Sequence, residues 1–238
     1  MIKAPEKSSV LGLPIHLLDN YSQWLLQRQR EGHGAHVVTL NAEMAMLGEK
    51  NPQVAEAIKE ADLVIPDGAG VVIYLGIRGK KQQRCPGIEL AESLIEGLAR
   101  PGELIAFYGG KPGVADLAAD KWRDSLPGVS IITNHGYLSD EEQCRWLEVL
   151  SQKQPRLILV GLGVPRQEYW IRQHRHLCPG AIWIGVGGSF DVWSGLIDRA
   201  PRFFRDNHLE WFYRLYQEPW RWRRMLVLPL FFLRSFLH

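Results

Sequence analysis

Short apolar runs separated by amphipathic stretches set the rhythm of the first two hundred residues. Six runs are rich in Val and Ile and apolar at consecutive positions: AHVVTL (35–40), DLVIPD (62–67), ELIAFYG (103–109), VSIIT (129–133), RLILVGLG (156–163) and AIWIGVGG (181–188). Strands buried on both faces of a parallel sheet read this way, whereas half-solvated strands alternate. Helical patterns lie between them at 42–60, interrupted near Asn51-Pro52, and at 69–76, 87–99, 112–126, 140–153 and 166–177. Pro52, Pro86, Pro112 and Pro165 stand at or near the starts of these helices, where a missing N–H costs least. Ser139 followed by Glu142 reads as a capping box that opens 140–153. This alternation predicts βαβ units and an α/β fold with a doubly wound, mainly parallel sheet.

In an open α/β sheet, ligands bind beyond the carboxyl ends of the strands. Here those ends are polar or glycine-rich: Thr39-Leu40-Asn41, Asp67-Gly68, Gly109-Gly110, Asn134 to Tyr137, Gly161 to Gly163 and Gly185 to Gly188. Turns favour Gly, Asn and Asp anyway, so any one of these is unremarkable. Six together predict a shared crevice.

Composition changes the picture mainly at the C-terminus. The 238 residues allow one large domain, or one with an appendage, at about 150 residues per domain. Hydrophobic content of 46% and charge of 23% exclude disorder, and three scattered cysteines give neither a disulfide framework nor a zinc site. A net charge of +2 argues against a nucleic-acid binder. From Arg199 onward, however, eight arginines face three acids, a net of +5, which leaves −3 for the first 198 residues. Eleven of the 24 aromatic residues also lie there. We therefore divide the chain into a core, 1–198, and a basic, aromatic, helical appendage, 199–238. The run MLVLPLFFLRSFL is too short to span a bilayer, but with arginine beside Trp and Phe it suits a segment lying in an anionic interface. A C-terminal helix packed on the sheet, or a subunit contact, is the competing reading.

Stock chemical motifs are missing. Gly161-Leu-Gly163 and Gly68-Ala-Gly70 lack the third glycine of a dinucleotide fingerprint, and no phosphate-binding Gly-x-x-x-x-Gly-Lys or Gly-x-Ser-x-Gly elbow occurs. His174 and His176 fall in a basic helix end and are expected to be solvated. No Asp-x-Asp pair stands at a strand end to hold a divalent metal. Asp67 follows LVIP directly and projects from a strand end, so it suits a general base if partial desolvation raises its pKa. Capping the helix at 69–76 is the alternative.

The runs TLNAEMAML, DLVIPDGAGVV, GLGVPRQEYWI, GVGGSFDVWSG, DRAPRFF and LEWFYRLYQEPWRWRR resemble, in order and spacing from Thr39 to Arg224, the WecG/TagA/CpsF glycosyltransferases. These are N-acetylmannosaminyltransferase-type enzymes (glycosyltransferase family 26) of teichoic acid and surface polysaccharide assembly. The resemblance implies a Rossmann-like fold and an inverting, metal-independent transfer that needs no cofactor. A sugar, typically N-acetylmannosamine, moves from UDP to polyprenyl-diphosphate-linked N-acetylglucosamine at the inner face of the cytoplasmic membrane. Asp67 then matches the catalytic base, Thr39 and Asn41 match pocket residues, and Gln167 matches a substrate contact. Gly109, Tyr137, Gly187, Gly188 and Asp191 fall where the nucleotide is held. The tail matches an appendage that docks on the membrane and contributes to the active site.

A departing UDP gains negative charge, and arginine is the natural partner of a diphosphate where no metal serves. Arg214, Arg221 and Arg224 would share one face of a continuous helix, although Pro219 interrupts it. An ordinary solvated basic helix is the bland reading. Arg84 or Arg166 would be the body arginines to serve instead. A homo-oligomer is compatible with this sequence. The competing functions are a soluble nucleotide-binding oxidoreductase and a non-catalytic membrane adaptor.

Overall fold

The six apolar runs become six strands of one parallel sheet. A computed structural model describes residues 4–207, 209–219, 222 and 226–237; for Arg214, Phe236 and Leu237 only the backbone is described. The strands are β3 (Ala35–Leu40), β4 (Leu63–Pro66), β5 (Leu104–Gly109), β6 (Ser130–Asn134), β7 (Leu157–Gly161) and β8 (Ile182–Gly185), and β1 (Glu6–Val10) and β2 (Leu13–Leu17) form a separate antiparallel hairpin. The main sheet runs β4-β3-β8-β7-β5-β6, with every pairing parallel.

The helices in the core are α1 (Tyr21–Arg30), α2 (Ala42–Lys50), α3 (Pro52–Lys59), α4 (Ala69–Ile77), α5 (Gly87–Leu98), α6 (Val114–Ser125), α7 (Asp140–Lys153), α8 (Arg166–His174) and α9 (Ser189–Trp193). The tail adds α10 (Arg202–Asp206), α11 (Glu210–Gln217) and α12 (Val227–Leu237). Asn51 accepts from the backbone of Gln53 and Val54 and restarts the chain at Pro52, which is why the 42–60 pattern is two helices. The capping box at Ser139 forms.

Successive strand residues point to opposite faces, and both faces are covered. Val37, Ile65, Phe107, Leu159 and Ile184 pack under α1, α5, α6 and α9. On the other face, Val38, Leu40 and Val64 pack against the hairpin, α2, α3 and α4, while Tyr108, Val160 and Trp183 pack against α7 and α8. Double burial is what the unbroken apolar runs required.

Two regions differ from the sequence expectation. The first 34 residues, read above without elements, hold the hairpin and α1. The hairpin turn is Leu11-Gly12, both at positive φ (49° and 77°), so its first position lacks the Asn or Asp that would signal a tight turn. His174 is also corrected. It is buried, its ring lies 4.8 Å from that of Trp170, and Nδ1 donates to the Trp170 carbonyl at 2.8 Å. The apolar stripe of α8 carries it inward, and burial pushes its pKa below the usual imidazole range. His176 is exposed, as expected.

Candidate functional site at the carboxyl edge of the sheet

Across the sheet in spatial order, the carboxyl ends carry Asp67-Gly68 on β4, Asn41 on β3, Gly185 to Gly188 on β8, Gly161 to Gly163 on β7, Gly109-Gly110 on β5 and Asn134 to Tyr137 on β6. The chain leaves β5 for α6 on one face and leaves its neighbour β7 for α8 on the other. It diverges again between β8, which leads to α9, and β3, which leads to α2. Strand ends whose connections part in this way leave a crevice between them.

The polar half of this edge is joined residue to residue. Asp67 is half-buried, and its Oδ1 accepts from the backbone N–H of Gly87 at 2.8 Å. That N–H is the first of α5, so Asp67 does not cap α4; the residue before α4 is Gly68, which makes no side-chain cap. Gly87 has no room for a side chain, since a Cβ there would stand 2.8 Å from Thr39 Cγ2. Thr39 Oγ1 in turn donates to the Gly185 carbonyl at 3.3 Å. Asn41 caps α2 by accepting from Met44 N–H at 3.0 Å, and a Cβ on Gly68 would stand 3.0 Å from its Cβ.

Gln167 closes the chain of contacts from below. It is 2% exposed; its Nε2 donates to Glu168 Oε1 at 3.0 Å, and its Oε1 accepts from Gly187 N–H at 3.1 Å. Glu168 is fully buried and takes a second donor, His36 Nε2, at 3.4 Å. A carboxylate only accepts, so Glu168 fixes which end of the Gln167 amide faces the Gly187 loop. A Cβ on Gly185 would lie 2.3 Å from Gln167 Nε2, which makes glycine the residue that fits. Gln167 thus supports the β8 loop. Sequence reading missed Glu168 and His36 because a lone Glu on a helix and a lone His on a strand carry no pairing signal.

The other half is backbone. Gly109, at φ 136°, pairs with Gly161, and a Cβ on it would lie 2.4 Å from the Gly161 carbonyl oxygen. Gly110 N–H donates to that carbonyl at 3.0 Å, and Gly136 N–H donates to the Gly110 carbonyl at 2.9 Å. The loops after β7, β5 and β6 are therefore knitted together. Tyr137, next along, is 62% exposed. Asp191 lies in the first turn of α9, within reach of Gly188. Cys85 lies near Asp67, but burial, with Asp67 and Glu89 beside it, pushes its thiol up to about 12, so it is no nucleophile at neutral pH. Among the described residues, no three His, Cys, Asp or Glu side chains gather as a metal site.

Of the sequence-derived site residues, Thr39, Asn41, Asp67 and Gln167 meet around the ends of β3, β4 and β8. Gly109, Tyr137, Gly187, Gly188 and Asp191 extend that edge across β8 to β6. Arg221 and Arg224 lie outside the described residues, and the backbone of Arg214 lies in α11.

A doubly wound parallel sheet with glycine turns at its strand ends and a carboxylate at the end of its edge strand defines an α/β protein of the Rossmann-like class, whose crevice lies at the carboxyl edge. The model of the WecG/TagA/CpsF glycosyl transferase family matches residues 8–238, and this chain belongs to that family. It is 38% identical over 201 residues to an N-acetylglucosaminyldiphosphoundecaprenol N-acetyl-beta-D-mannosaminyltransferase of Bacillus spizizenii, covering 84% of this chain and 77% of the relative. It is 35% identical over 198 residues to the protein of the same name in Bacillus subtilis, covering 82% and 77%. The family assignment does not favour the oxidoreductase reading.

Proposed function

We propose that this chain is an inverting, metal-independent N-acetylmannosaminyltransferase that uses UDP-N-acetylmannosamine and glycosylates N-acetylglucosaminyl diphosphoundecaprenol. The observation that carries the reading is Asp67. It is a carboxylate at the mouth of the crevice, oriented by the Gly87 N–H and joined through Thr39 to the glycine loops. The names of the two Bacillus relatives support the sugar and the acceptor.

In this mechanism an acceptor hydroxyl attacks the anomeric carbon from the face opposite UDP. Its proton passes to Asp67, the bond to the diphosphate oxygen breaks, and UDP leaves with that bond's electron pair. One displacement inverts the anomeric centre. The glycine turns at the ends of β5, β7 and β8 hold the diphosphate, Tyr137 offers an exposed ring to the base, and the developing charge falls to arginines, with Arg214, Arg221 and Arg224 assigned by the family resemblance. The absence of an acidic pair at any strand end supports a transfer without a divalent cation. The appendage would hold the enzyme on the anionic inner face of the membrane, where the acceptor resides. Its exposed Phe203, Phe212, Tyr216 and Leu233 support insertion.

The test is product analysis with a panel of UDP-sugars and a short-chain N-acetylglucosaminyl diphosphate acceptor, with and without EDTA. A β-linked N-acetylmannosamine product, unchanged by EDTA, is expected. A retained anomeric configuration, or activity lost to EDTA and restored by Mg²⁺ or Mn²⁺, would overturn the mechanism.

A further inference from the structure

The core helix α4 differs from its neighbours in what it shows to solvent. None of its residues, AGVVIYLGI, is charged, and it is apolar on every side. Gly70, Val71, Tyr74 and Leu75 are buried, while Ile73 and Ile77, one turn apart, stand 45% and 49% exposed. The outward positions of α5 and α6 instead carry acids, Glu89 and Glu96 on one and Asp116 and Asp120 on the other. An apolar outer stripe on a core helix marks a surface that something covers.

The appendage brackets this stripe without covering it. On one flank the ring of Phe231 in α12 packs on Gly70 and Tyr74, and Arg78 donates to the Ser235 carbonyl at 3.5 Å. On the other flank Val72 shares a cleft with Arg202 and Arg205 of α10. At about 100° per residue, Val71 and Leu75 then point into the core, and Ile73 and Ile77 point away from it, between the two flanks. Leu230 and Leu233 of α12 and Phe203 of α10 are exposed on either side. The stripe therefore joins two apolar parts of the tail.

Charge selects what covers it. Between Asp67 and Glu89 the chain carries four bases, Arg78, Lys80, Lys81 and Arg84, and no acid. Three of them gather at the end of α4, beside the isoleucines. Arg78 lies over the Tyr74 ring at 4.8 Å, and Lys80 N–H closes the last turn on the Leu75 carbonyl at 2.9 Å. Lys80 meets Glu6 in an exposed pair, which a lipid phosphate can displace at little cost. Lys81 is exposed and makes no ion pair among the described residues. A second copy of the chain seated on this face by a two-fold axis would set these bases against their own counterparts. An anionic bilayer would attract them.

We infer that α4 is the core's own membrane contact. Ile73 and Ile77 enter the boundary between headgroups and acyl chains of an anionic leaflet, and Arg78, Lys80 and Lys81 lie at its phosphates. Two isoleucines are too little apolar surface to hold a protein on a bilayer, so α4 adds to the appendage and does not replace it. Its contribution is placement. The helix begins two residues after Asp67 and is about 13 Å long, so a leaflet that seats α4 keeps the end of β4 within a helix length of the lipid phosphates. That consequence rests on the transferase reading above; the contact itself does not.

The experiment is cosedimentation of the full-length protein with vesicles of phosphatidylglycerol and phosphatidylcholine. The variants are the double change Ile73→Gln with Ile77→Gln, and Lys81→Gln; all fall on exposed side chains and should move the melting temperature little. The isoleucine variant should bind about tenfold more weakly than wild type at low and at high salt, because apolar insertion is not screened. Lys81→Gln should lose about fivefold at low salt, the worth of one base near an anionic surface, and less as salt rises. Turnover of a water-soluble acceptor should stay within about twofold in both variants, while turnover of vesicle-borne acceptor falls with binding. An isoleucine variant that binds vesicles as tightly as wild type overturns the inference, and so does wild type that ignores anionic vesicles. A wild-type dimer in sedimentation equilibrium that the isoleucine variant dissolves, with vesicle binding intact, would give the face to a second copy and overturn it. Turnover of soluble acceptor lost together with vesicle binding would give α4 to the catalytic site and overturn it as well. Vesicle binding that weakens as expected, in a protein that glycosylates neither acceptor, sustains the membrane contact and overturns the transferase reading alone.

Discussion

Asp67→Asn is the sharpest substitution at the scale of single residues. Asparagine keeps an oxygen to accept from Gly87 N–H, so the start of α5 and the fold should survive, while the proton acceptor is lost. Turnover should fall by roughly 10²-fold or more with UDP affinity nearly unchanged. Near-normal turnover would reduce Asp67 to a structural acceptor for α5. Beneath the crevice, Glu168 should behave differently. Glu168→Ala strands two buried donors, Gln167 Nε2 and His36 Nε2, and should cost about 2–4 kcal/mol in urea unfolding. It should also free the Gly187 amide to exchange faster with solvent, because Gln167 loses its fixed orientation. Glu168→Gln, which can still accept from Gln167, should recover most of the stability and the slow exchange. Equal losses in the two variants would mean that shape rather than hydrogen bonding matters there.

At the scale of elements, β4 is the weak point because it is an edge strand that carries the candidate base. The hairpin covers it, and His16 Nδ1 accepts from Val64 N–H at 2.9 Å. This bond needs a neutral ring, and burial, with Lys7 adding to it, lowers the His16 pKa below the usual 6.5 against a raising pull from Asp62. Below pH 6.5 the unfolded chain then binds more protons than the folded one, so stability falls as pH drops through that window toward the folded value. His174 is lowered in the same direction, and its contribution adds. Denaturant midpoints should fall between about pH 6.5 and 5. His16→Gln should start lower at pH 8 and lose less over the same range. A variant as pH-sensitive as wild type would assign the effect to His174.

For the whole molecule, the question is how the tail relates to the sheet. All eight strands among the described residues end by Gly185, so a chain ending near Arg199 has a complete sheet and should fold. The tail is nevertheless not loose on the core. Phe231 of α12 is fully buried in the cluster with Val71, Tyr74 and Leu75, its ring 6.0 Å from that of Tyr74. Leu230 and Leu233, on the same helix, stay exposed. The truncated core should therefore melt at a lower temperature than the full chain, and Phe231→Ala in the full chain should cost about 3–5 kcal/mol. Truncation should also remove binding to anionic vesicles. In the full chain that binding should weaken with salt without vanishing, because apolar insertion is not screened. Vesicle binding by the truncated core at full strength would place the membrane contact elsewhere.

The six strands, most of the helices and the glycine-rich strand ends were legible along the chain because double burial leaves an unbroken apolar run, and a turn leaves Gly, Asn or Asp. These signals are local. Asp67, Thr39 and Asn41 could be placed at strand ends for the same reason, and the long shared motifs carried the family. The hairpin was not legible, since its turn uses Leu11 at positive φ and its strands are stabilised by covering β4 rather than by their own pattern. The order β4-β3-β8-β7-β5-β6 was not legible either, and that order alone puts Asp67 at the end of an edge strand, next to β3. His36 meeting Glu168, and Arg84 meeting Glu210 of the tail, join residues separated by more than a hundred positions. Such pairings are set by which faces pack together, and residue spacing in one dimension does not contain that information.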